Sequence, residues 1–340
     1  FVSLTSAQQG ATAAPEHLAK LKEIQQAIRE QGLDGWLLYD FRGSNAIAQR
    51  ILSLPREAAQ SRRFFCYIPA TGEPKKLVHS IERWTLDSWS GEKTIYLSWQ
   101  SLRQGVCEML KGSRKVAMEY SPMGNIPYIS RVDAGTIEIV RECGVEIVSS
   151  GDLVNSFEAR WTEEQRRDNF EVAKIMRGVV DSAFAYIKES VLAQRRITEY
   201  DVQQYMMQVM KRAGINAGGP NVSVDANTAN PHYGARKDGS AEIKDGSFVL
   251  MDFGARANKP NATATDITWV GYVGRSVPEK YVKIWDIVKG ARDGALEFMR
   301  KSFADGRTIR GYEVDSVARK YITDRGYGDY FLHRTGHNIG

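Results

Sequence analysis

Apolar positions in the first 150 residues follow helical spacing in some stretches and form short continuous runs in others. Leu18, Leu21, Ile24 and Ile28 share one helical face after Pro15, a residue type favoured in the first turn. Runs typical of strands are GWLLY, RFFCYIP, KKLVHSI, TIYLSW, KVAMEYS and VEIVSS, with further helical patterns near residues 100–111 and 128–142. This mixture predicts an α/β layer structure.

The pattern changes near residues 151–162, where long amphipathic helices begin. Thr162 and Thr198 are plausible N-caps of two helices, and the second helix should stop at Gly214. Strand-like SFVLMDFGA and DITWVGYVG follow, then a helix from about Pro278 and another over about residues 311–324. We therefore predict an α/β domain at residues 1–155 and a domain of helices and antiparallel strands at residues 156–340.

Length and charge exclude several classes of protein. A chain of 340 residues is long enough for two hydrophobic cores. Its net charge of +5 arises from 46 basic and 41 acidic residues without a long run of like charge, so we expect no nucleic-acid partner. The sequence contains no long uncharged apolar run, so we expect no membrane span. It also contains no glycine-rich loop after a strand, which argues against a nucleotide site.

The number and spacing of the cysteines indicate the redox state of the cellular compartment. Cys66, Cys107 and Cys143 are an odd number at wide spacing, which fits neither a disulfide framework nor a zinc knuckle. We therefore expect a reducing, cytoplasmic environment. The first 17 residues lack a basic region followed by a long apolar stretch and resemble a processed end, so a secreted or periplasmic mature form stays open.

Two aspartates interrupt apolar strand-like runs in the second half. Asp252 lies within FVLMDFGA and Asp266 opens DITWVGYVG. An ionised carboxylate in such a place is costly unless it is paired or bound to a cation, and a shared divalent cation can hold two carboxylates together. The alternative is that each is an ordinary strand-end or turn aspartate.

Three of the five histidines lie in polar, glycine-punctuated stretches. His333 and His337 stand four residues apart in HRTGHNIG, and His232 follows Pro231 in a loop. Neutral imidazole can bind a metal or contact a substrate. Structural or surface roles remain the alternatives for all three on these residues alone.

Taken in order, these features resemble the metallopeptidase family that contains Xaa-Pro aminopeptidases, prolidases, methionine aminopeptidases and creatinase. The resemblance covers about residues 160–340, and HRTGHNIG is its most specific part. Family members show a histidine, three residues, a second histidine, one residue, an aliphatic residue and a glycine. The resemblance implies a pita-bread α+β catalytic domain at residues 156–340, behind a creatinase/prolidase-like α/β N-terminal domain.

The resemblance also implies a two-metal site in which Asp252, Asp266 and His337 are ligands. His232 and His333 would contact the substrate and the tetrahedral intermediate, and Thr268 would support the ligands beside the metals. Two such cations polarise the scissile carbonyl and lower the pKa of a bound water. Manganese is the expected metal because carboxylates dominate the set, with cobalt or zinc as alternatives.

A large N-terminal domain narrows the expected activity to hydrolysis of Xaa-Pro bonds at the amino end of short peptides. Methionine aminopeptidases usually lack that domain, and creatinase, a metal-free enzyme, does not keep this ligand set. The resemblance further implies a homodimer. A non-catalytic peptide- or protein-binding relative and a creatinase-like amidinohydrolase remain alternatives.

Two departures from the family pattern affect the site. The segment FGARANKPNATAT between the aspartates is longer than the usual hairpin, and an altered residue count can turn one carboxylate to the other face of a sheet. The two glutamate ligands of the family would lie beyond Gly340. We therefore expect the sequence to be part of a longer chain.

Overall fold

The computed structural model describes residues 15–55 and 61–339. Most of the segment interpreted as a processed chain end lies outside these ranges. The chain divides into two compact units, residues 1–160 and residues 161–340. Each unit is described separately below.

The first unit alternates helices and strands, and all the strand-like runs of the sequence form strands. Its elements are α1 (Pro15–Glu30), β1 (Gly35–Asp40), α2 (Ala46–Ile51), β2 (Phe64–Pro69), β3 (Lys75–His79), β4 (Glu92–Tyr96), α3 (Trp99–Leu110), β5 (Lys115–Met118), α4 (Ala134–Glu142), β6 (Glu146–Ser149) and α5 (Gly151–Glu158).

The strands of the first unit form one sheet between two layers of helices. Within its described residues the strand order is β4-β3-β2-β1-β5-β6, and only β2 runs against its neighbours. Side chains alternate across β1, so that Trp36 and Leu38 pack with α1, α2 and α5, while Leu37 and Tyr39 pack with α3 and α4. Burial on both faces explains why the strand sequences are almost continuously apolar.

One helix of the first unit is shorter than predicted. The pattern over residues 128–142 predicts a single helix, but α4 begins only at Ala134. Asp133 has an extended backbone, and its side chain accepts a hydrogen bond from the Thr136 amide, which makes it the N-cap. The apolar residues before Asp133 therefore belong to the preceding loop.

The predicted domain boundary at residues 155/156 falls inside α5. The buried side chains of Leu153 and Val154 pack in the core of the first unit. The first unit accordingly includes the whole of α5 and ends at residue 160.

The expectation that the cysteines are unpaired is wrong for two of them. Cys107 in α3 forms a disulfide with Cys143, which directly follows α4. The pairing depends on α3 and α4 packing side by side, and a separation of 36 residues does not reveal that. Cys66 is a buried free thiol.

The second unit begins with two long helices and continues with antiparallel strands. Its elements are α6 (Glu163–Leu192), α7 (Glu199–Arg212), β7 (Ile215–Ala217), β8 (Asn221–Val224), β9 (Phe248–Ala257), β10 (Thr265–Tyr272), α8 (Glu279–Ala304) and α9 (Gly311–Thr323).

Both predicted threonine caps are confirmed. Thr162 and Thr198 each accept a hydrogen bond from a backbone amide three residues later and complete a capping box. Helix α7 ends just before Gly214, whose φ of +71° is the left-handed conformation that glycine adopts most easily. These two helices pack together and bury one face of the sheet.

Strand β9 lies in the middle of the second sheet. It pairs with β10 on one edge and with β7 and β8 on the other, all antiparallel. Val249, Met251, Phe253 and Ala255 point into the core with α6 and α7. The alternate residues of β9, including Asp252, therefore face the opposite side of the sheet.

Helices α8 and α9 pack against each other around a small core of their own. Ile287, Ala291 and Ala295 of α8 meet Ala318 and Ile322 of α9, and the small alanines allow close packing. Across the described residues, no helix has both the length and the apolar composition that a membrane span requires.

Candidate functional site

Asp252, Asp266 and Thr268 lie on the same face of the β9–β10 hairpin. Thr268 is paired directly with Asp252. Asp266, two residues before Thr268, is paired with Gly254, two residues after Asp252. Because this register runs without a bulge, residues two apart share a face. The loop over residues 258–264 accommodates the additional residues without turning either carboxylate away.

The two carboxylates of this hairpin affect each other electrostatically. Partial burial raises the pKa of Asp266, the negative charge of Asp252 raises it further, and His337 acts in the opposite direction. Asp252 accepts a hydrogen bond of 2.7 Å from the Thr268 hydroxyl through Oδ1. The hairpin therefore presents two neighbouring carboxylates, one of which is held in place by a threonine.

His337 is the third predicted ligand, and it lies beside Asp266. Its Nε2 atom is 3.6 Å from Asp266 Oδ2. Its Nδ1 atom is 2.9 Å from the Asn338 carbonyl oxygen, which can only accept, so Nδ1 carries the hydrogen. In the neutral ring the Nε2 lone pair is then free for a cation, as in many histidine ligands. A hydrogen bond of 3.0 Å from the Ala264 amide to the Ile339 carbonyl ties this segment to the hairpin.

An acid–base pair on α9 holds the segment that carries His333 and His337. Asp315 accepts hydrogen bonds of 2.7 and 2.8 Å from the amide and hydroxyl of Thr335. Arg319 donates to Asp315 at 2.9 Å and to the carbonyls of Phe331 and His333 at 2.9 and 3.0 Å. This Asp315–Arg319 clamp sets the path of the backbone on both sides of His333.

A buried glutamate anchors the loop that carries His232. Glu199 is fully buried in the first turn of α7 and accepts hydrogen bonds from four donors between residues 224 and 241. One of them is the hydroxyl of Tyr233, the neighbour of His232, at 2.5 Å. Burial and then Glu199 raise the pKa of Tyr233 to about 12, so its hydroxyl stays protonated and donates.

The six predicted site residues form two contacting pairs and two outlying histidines. Asp252 contacts Thr268, and Asp266 lies beside His337 on the same face. His232 and His333 are exposed, and within the described residues neither hydrogen-bonds to the other predicted site residues. The structure therefore assembles the predicted ligands more closely than the predicted substrate contacts.

The donor atoms on this face suit a divalent cation. Carboxylates are hard oxygen donors, the imidazole lone pair adds a nitrogen, and a cation would offset the repulsion between Asp252 and Asp266. Among the residues that the structure describes, however, no group of three or more histidine, cysteine, aspartate and glutamate side chains is arranged to hold a metal ion. The described residues thus supply neighbouring donors on one face and not a complete coordination shell.

Residues that position the site were missed at the sequence level. Asp315 and Arg319 stand at i and i+4 in a predicted helix, a spacing that usually indicates an ordinary surface ion pair. Glu199 follows a threonine cap, where a glutamate is expected simply to favour the helix N-terminus. Their distinguishing contacts are with distant loops, which a local pattern does not show.

Comparison with known proteins identifies the family. The model of metallopeptidase family M24 matches residues 170–340, which is half of the chain and contains all six predicted site residues. The chain belongs to metallopeptidase family M24. The family inferred from HRTGHNIG and the two aspartates is thereby confirmed.

Relatives in this family cover the same part of the sequence. The Xaa-Pro dipeptidase of Pyrococcus furiosus is 29% identical over 209 residues, which are 58% of this chain and 57% of the relative. A putative Xaa-Pro aminopeptidase of Mycoplasma pneumoniae is 30% identical over 183 residues, 52% of this chain and 48% of the relative. The chain spans about half the length of the curated relatives that it matches.

The fold class is confirmed by solved structures. The prolidase from Pyrococcus horikoshii superposes with a TM-score of 0.54 at 22% identity, over 95% of this chain and 82% of that one. At this identity the likeness concerns the fold alone. An α/β unit followed by the α+β, pita-bread type of M24 domain is therefore the architecture of this chain.

Proposed function

We propose that this M24 protein is a metal-dependent peptidase that cleaves Xaa-Pro bonds at the amino end of short peptides. The observation that carries the proposal is the placement of Asp252 and Asp266 on one face, with His337 3.6 Å from Asp266. The Xaa-Pro dipeptidase and aminopeptidase names of its relatives support the substrate class. The units at residues 1–160 and 161–340 are proposed as its N-terminal and catalytic domains, in place of the predicted boundary at residues 155/156.

In this proposal Asp252, Asp266 and His337 are among the ligands of two divalent metal ions. Manganese is the first choice for a carboxylate-rich set, with cobalt or zinc as substitutes. When bound, the ions supply charge that activates a water and polarises the scissile carbonyl. Thr268 orients the Asp252 carboxylate through its hydrogen bond of 2.7 Å.

His232 and His333 have the role of substrate contacts in the same proposal. Each can donate a hydrogen bond to an oxygen on which negative charge develops. The Nδ1 atom of His333 donates to the Arg334 carbonyl oxygen at 2.9 Å, so Nε2 is the ring nitrogen left for a substrate, and it donates when the ring carries a second proton. Glu199 and the Asp315–Arg319 clamp support the loop and segment that carry these two imidazoles.

Two alternative functions would give results that differ from those of an Xaa-Pro peptidase. A non-catalytic relative would bind proline-containing peptides without cleaving them. A creatinase-like amidinohydrolase would retain its turnover after treatment with a chelator. The paired carboxylates beside an imidazole favour the peptidase over both, because neither a metal-free reaction nor peptide binding without cleavage requires cation-binding groups.

The decisive assay compares peptides that differ only at the second residue. The full chain, loaded with manganese, should hydrolyse Ala-Pro or Ala-Pro-Ala and leave Ala-Ala or Ala-Ala-Ala intact, and a chelator should abolish turnover. Alanine in place of Asp252 or His337 should remove the activity. Absence of Xaa-Pro cleavage by the manganese-loaded full chain would reject the proposal.

The assembly and the compartment are also part of the proposal. A homodimer is expected from the family and is tested by the molar mass in light scattering. The Cys107–Cys143 disulfide supports the secreted or periplasmic alternative over the cytoplasmic one, because such bonds persist in oxidising compartments. Thiol titration of denatured protein isolated without reductant should find one thiol, and three thiols would support a cytoplasmic location.

A further inference from the structure

A cavity of about 510 Å³ opens at the carboxyl edge of the sheet in the first unit. Tyr39, His79 and Tyr96 line it from the ends of β1, β3 and β4, which run parallel and so finish at one edge. The strand order reverses beside it, since β2 lies on one side of β1 and β5 on the other. Small ligands of open α/β sheets commonly bind in such crevices.

Arg63, which directly precedes β2, brings a cation to this cavity. It is partly buried, and its guanidinium has no hydrogen-bond or ion-pair partner among residues 15–55 and 61–339. Burial raises the pKa of Tyr39 and Tyr96, and the charge of Arg63 acts on both hydroxyls in the opposite direction. The N–H donors of Arg63 therefore stay unengaged within the described residues, and an anion in the cavity would pair with them.

Besides Arg63, His79 leaves a donor for a ligand, while the carboxylate of Asp133 and the hydroxyl hydrogens of Tyr39 and Tyr96 are already engaged. Asp133 already accepts from the Tyr39 hydroxyl at 3.0 Å and from the amide and hydroxyl of Thr136 at 2.9 and 2.8 Å. His79 Nδ1 accepts from the Ile81 amide at 3.0 Å, so the neutral ring carries its hydrogen on Nε2. A ligand that supplies acceptor oxygens therefore matches what the cavity offers.

Apolar side chains surround the mouth of the same cavity. Phe41, Leu97 and Trp99 line it and are exposed by 42%, 75% and 60% of their surface. Large exposed apolar groups beside a polar pocket are typical of sites that bury the body of a ligand. Trp99 provides a flat surface for a planar group.

We propose that this cavity binds a small organic carboxylate with a planar apolar body. The carboxylate pairs with the Arg63 guanidinium, whose fork of N–H donors matches two carboxylate oxygens. His79 adds a donor, and the apolar body lies against Trp99. The site lies wholly within the first unit and does not depend on the proposed peptidase activity.

The test is calorimetric titration of the full chain with 3-phenylpropionate and with its neutral analogue 3-phenylpropionamide. The acid should bind saturably, and the amide should bind at least about tenfold more weakly because it lacks the charge. Arg63→Gln should weaken binding of the acid by about the same factor. Arg114→Gln, the same change at an exposed position before β5, should leave it unaltered.

A second variant keeps the test independent of any folding defect in Arg63→Gln. Trp99→Ala removes an exposed wall and should also weaken binding of 3-phenylpropionate, while inorganic phosphate at equal concentration should not displace it. The proposal is overturned if the acid does not bind, if the amide binds as tightly, or if either cavity variant binds like the unaltered protein. Displacement by phosphate would equally overturn it, in favour of a general anion site.

Discussion

The hydroxyl of Thr268 donates to Asp252 Oδ1 at 2.7 Å from the position directly opposite on the neighbouring strand. This bond satisfies one carboxylate oxygen and restricts the rotation of the side chain. Within the described residues the second oxygen accepts no hydrogen bond, and it lies on the face that also carries Asp266. A hydrogen bond that orients a metal ligand in this way is worth about tenfold to a hundredfold in metal affinity or activity.

Replacing Thr268 by valine removes that donor with little change in shape. We expect manganese affinity or Xaa-Pro turnover to fall by about tenfold to a hundredfold, with an unchanged melting temperature. Thr268→Ser keeps the hydroxyl and should restore most of the loss. Equal activity of the valine and serine variants would show that the bond to Asp252 has no functional role.

The Asp315–Arg319 clamp should matter for activity more than for stability. Asp315→Asn weakens the hold on Thr335 and Arg319, and displacement of His333 and His337 by about 1 Å would lower kcat by up to about a hundredfold. Asp324→Asn, at the C-cap of the same helix, is the matched control, because it breaks only an exposed ion pair with Lys320. Similar kcat values for the two variants would contradict a positioning role.

The bond from Tyr233 to Glu199 should restrain the loop that carries His232. Tyr233→Phe removes one hydrogen bond to the buried Glu199 side chain, so amides over residues 225–241 should exchange with deuterium about tenfold faster. Tyr200→Phe is the control, since the Tyr200 hydroxyl has no hydrogen-bond partner within the described residues. Identical exchange in both variants would mean that the loop is held by other contacts.

Glu119 should make the stability of the first unit depend on pH. Complete burial raises its pKa from 4.5 to about 7, against hydrogen bonds from Trp36, Asn45 and Ser150 that lower it. A carboxyl group with a raised pKa in the folded state binds protons more tightly there. Its contribution is therefore fully present below about pH 4.5 and is lost as the pH rises through about 7.

Urea denaturation at several pH values tests this dependence. The free energy of unfolding should fall by a few kcal/mol between pH 4.5 and 7, and Glu119→Gln should remove most of that slope. Glu82→Gln is the control: burial raises the pKa of Glu82, but hydrogen bonds from Ser61 and Arg62 outweigh it, so its own effect lies at lower pH. A slope retained in the Glu119 variant would contradict this assignment.

Local patterns predicted most elements of the fold but not their edges or their pairing. Continuous apolar runs such as GWLLY were sufficient for β1, and a threonine followed by a capping partner was sufficient for the starts of α6 and α7. The start of α4 depends on the extended backbone of Asp133, which periodicity does not reveal. The Cys107–Cys143 bond depends on helices that meet only in the folded unit.

The candidate site, too, was predicted only in part from the sequence. Residue types within apolar strands indicated Asp252 and Asp266, but only the observed register shows that they share a face. The contacts that hold His232 and His333 come from Glu199 and Arg319, which are 33 and 14 residues away along the chain. Such long-range contacts have no signature in the local sequence.

The central claim is that Asp252, Asp266 and His337 are ligands of bound metal ions. Elemental analysis of the full-length protein after loading with manganese and dialysis measures this directly. We predict two manganese ions per chain, a clear loss in Asp252→Asn, Asp266→Asn and His337→Gln, and no loss in Asp324→Asn. Full manganese content in the three site variants, or none in the unaltered protein, would contradict the claim.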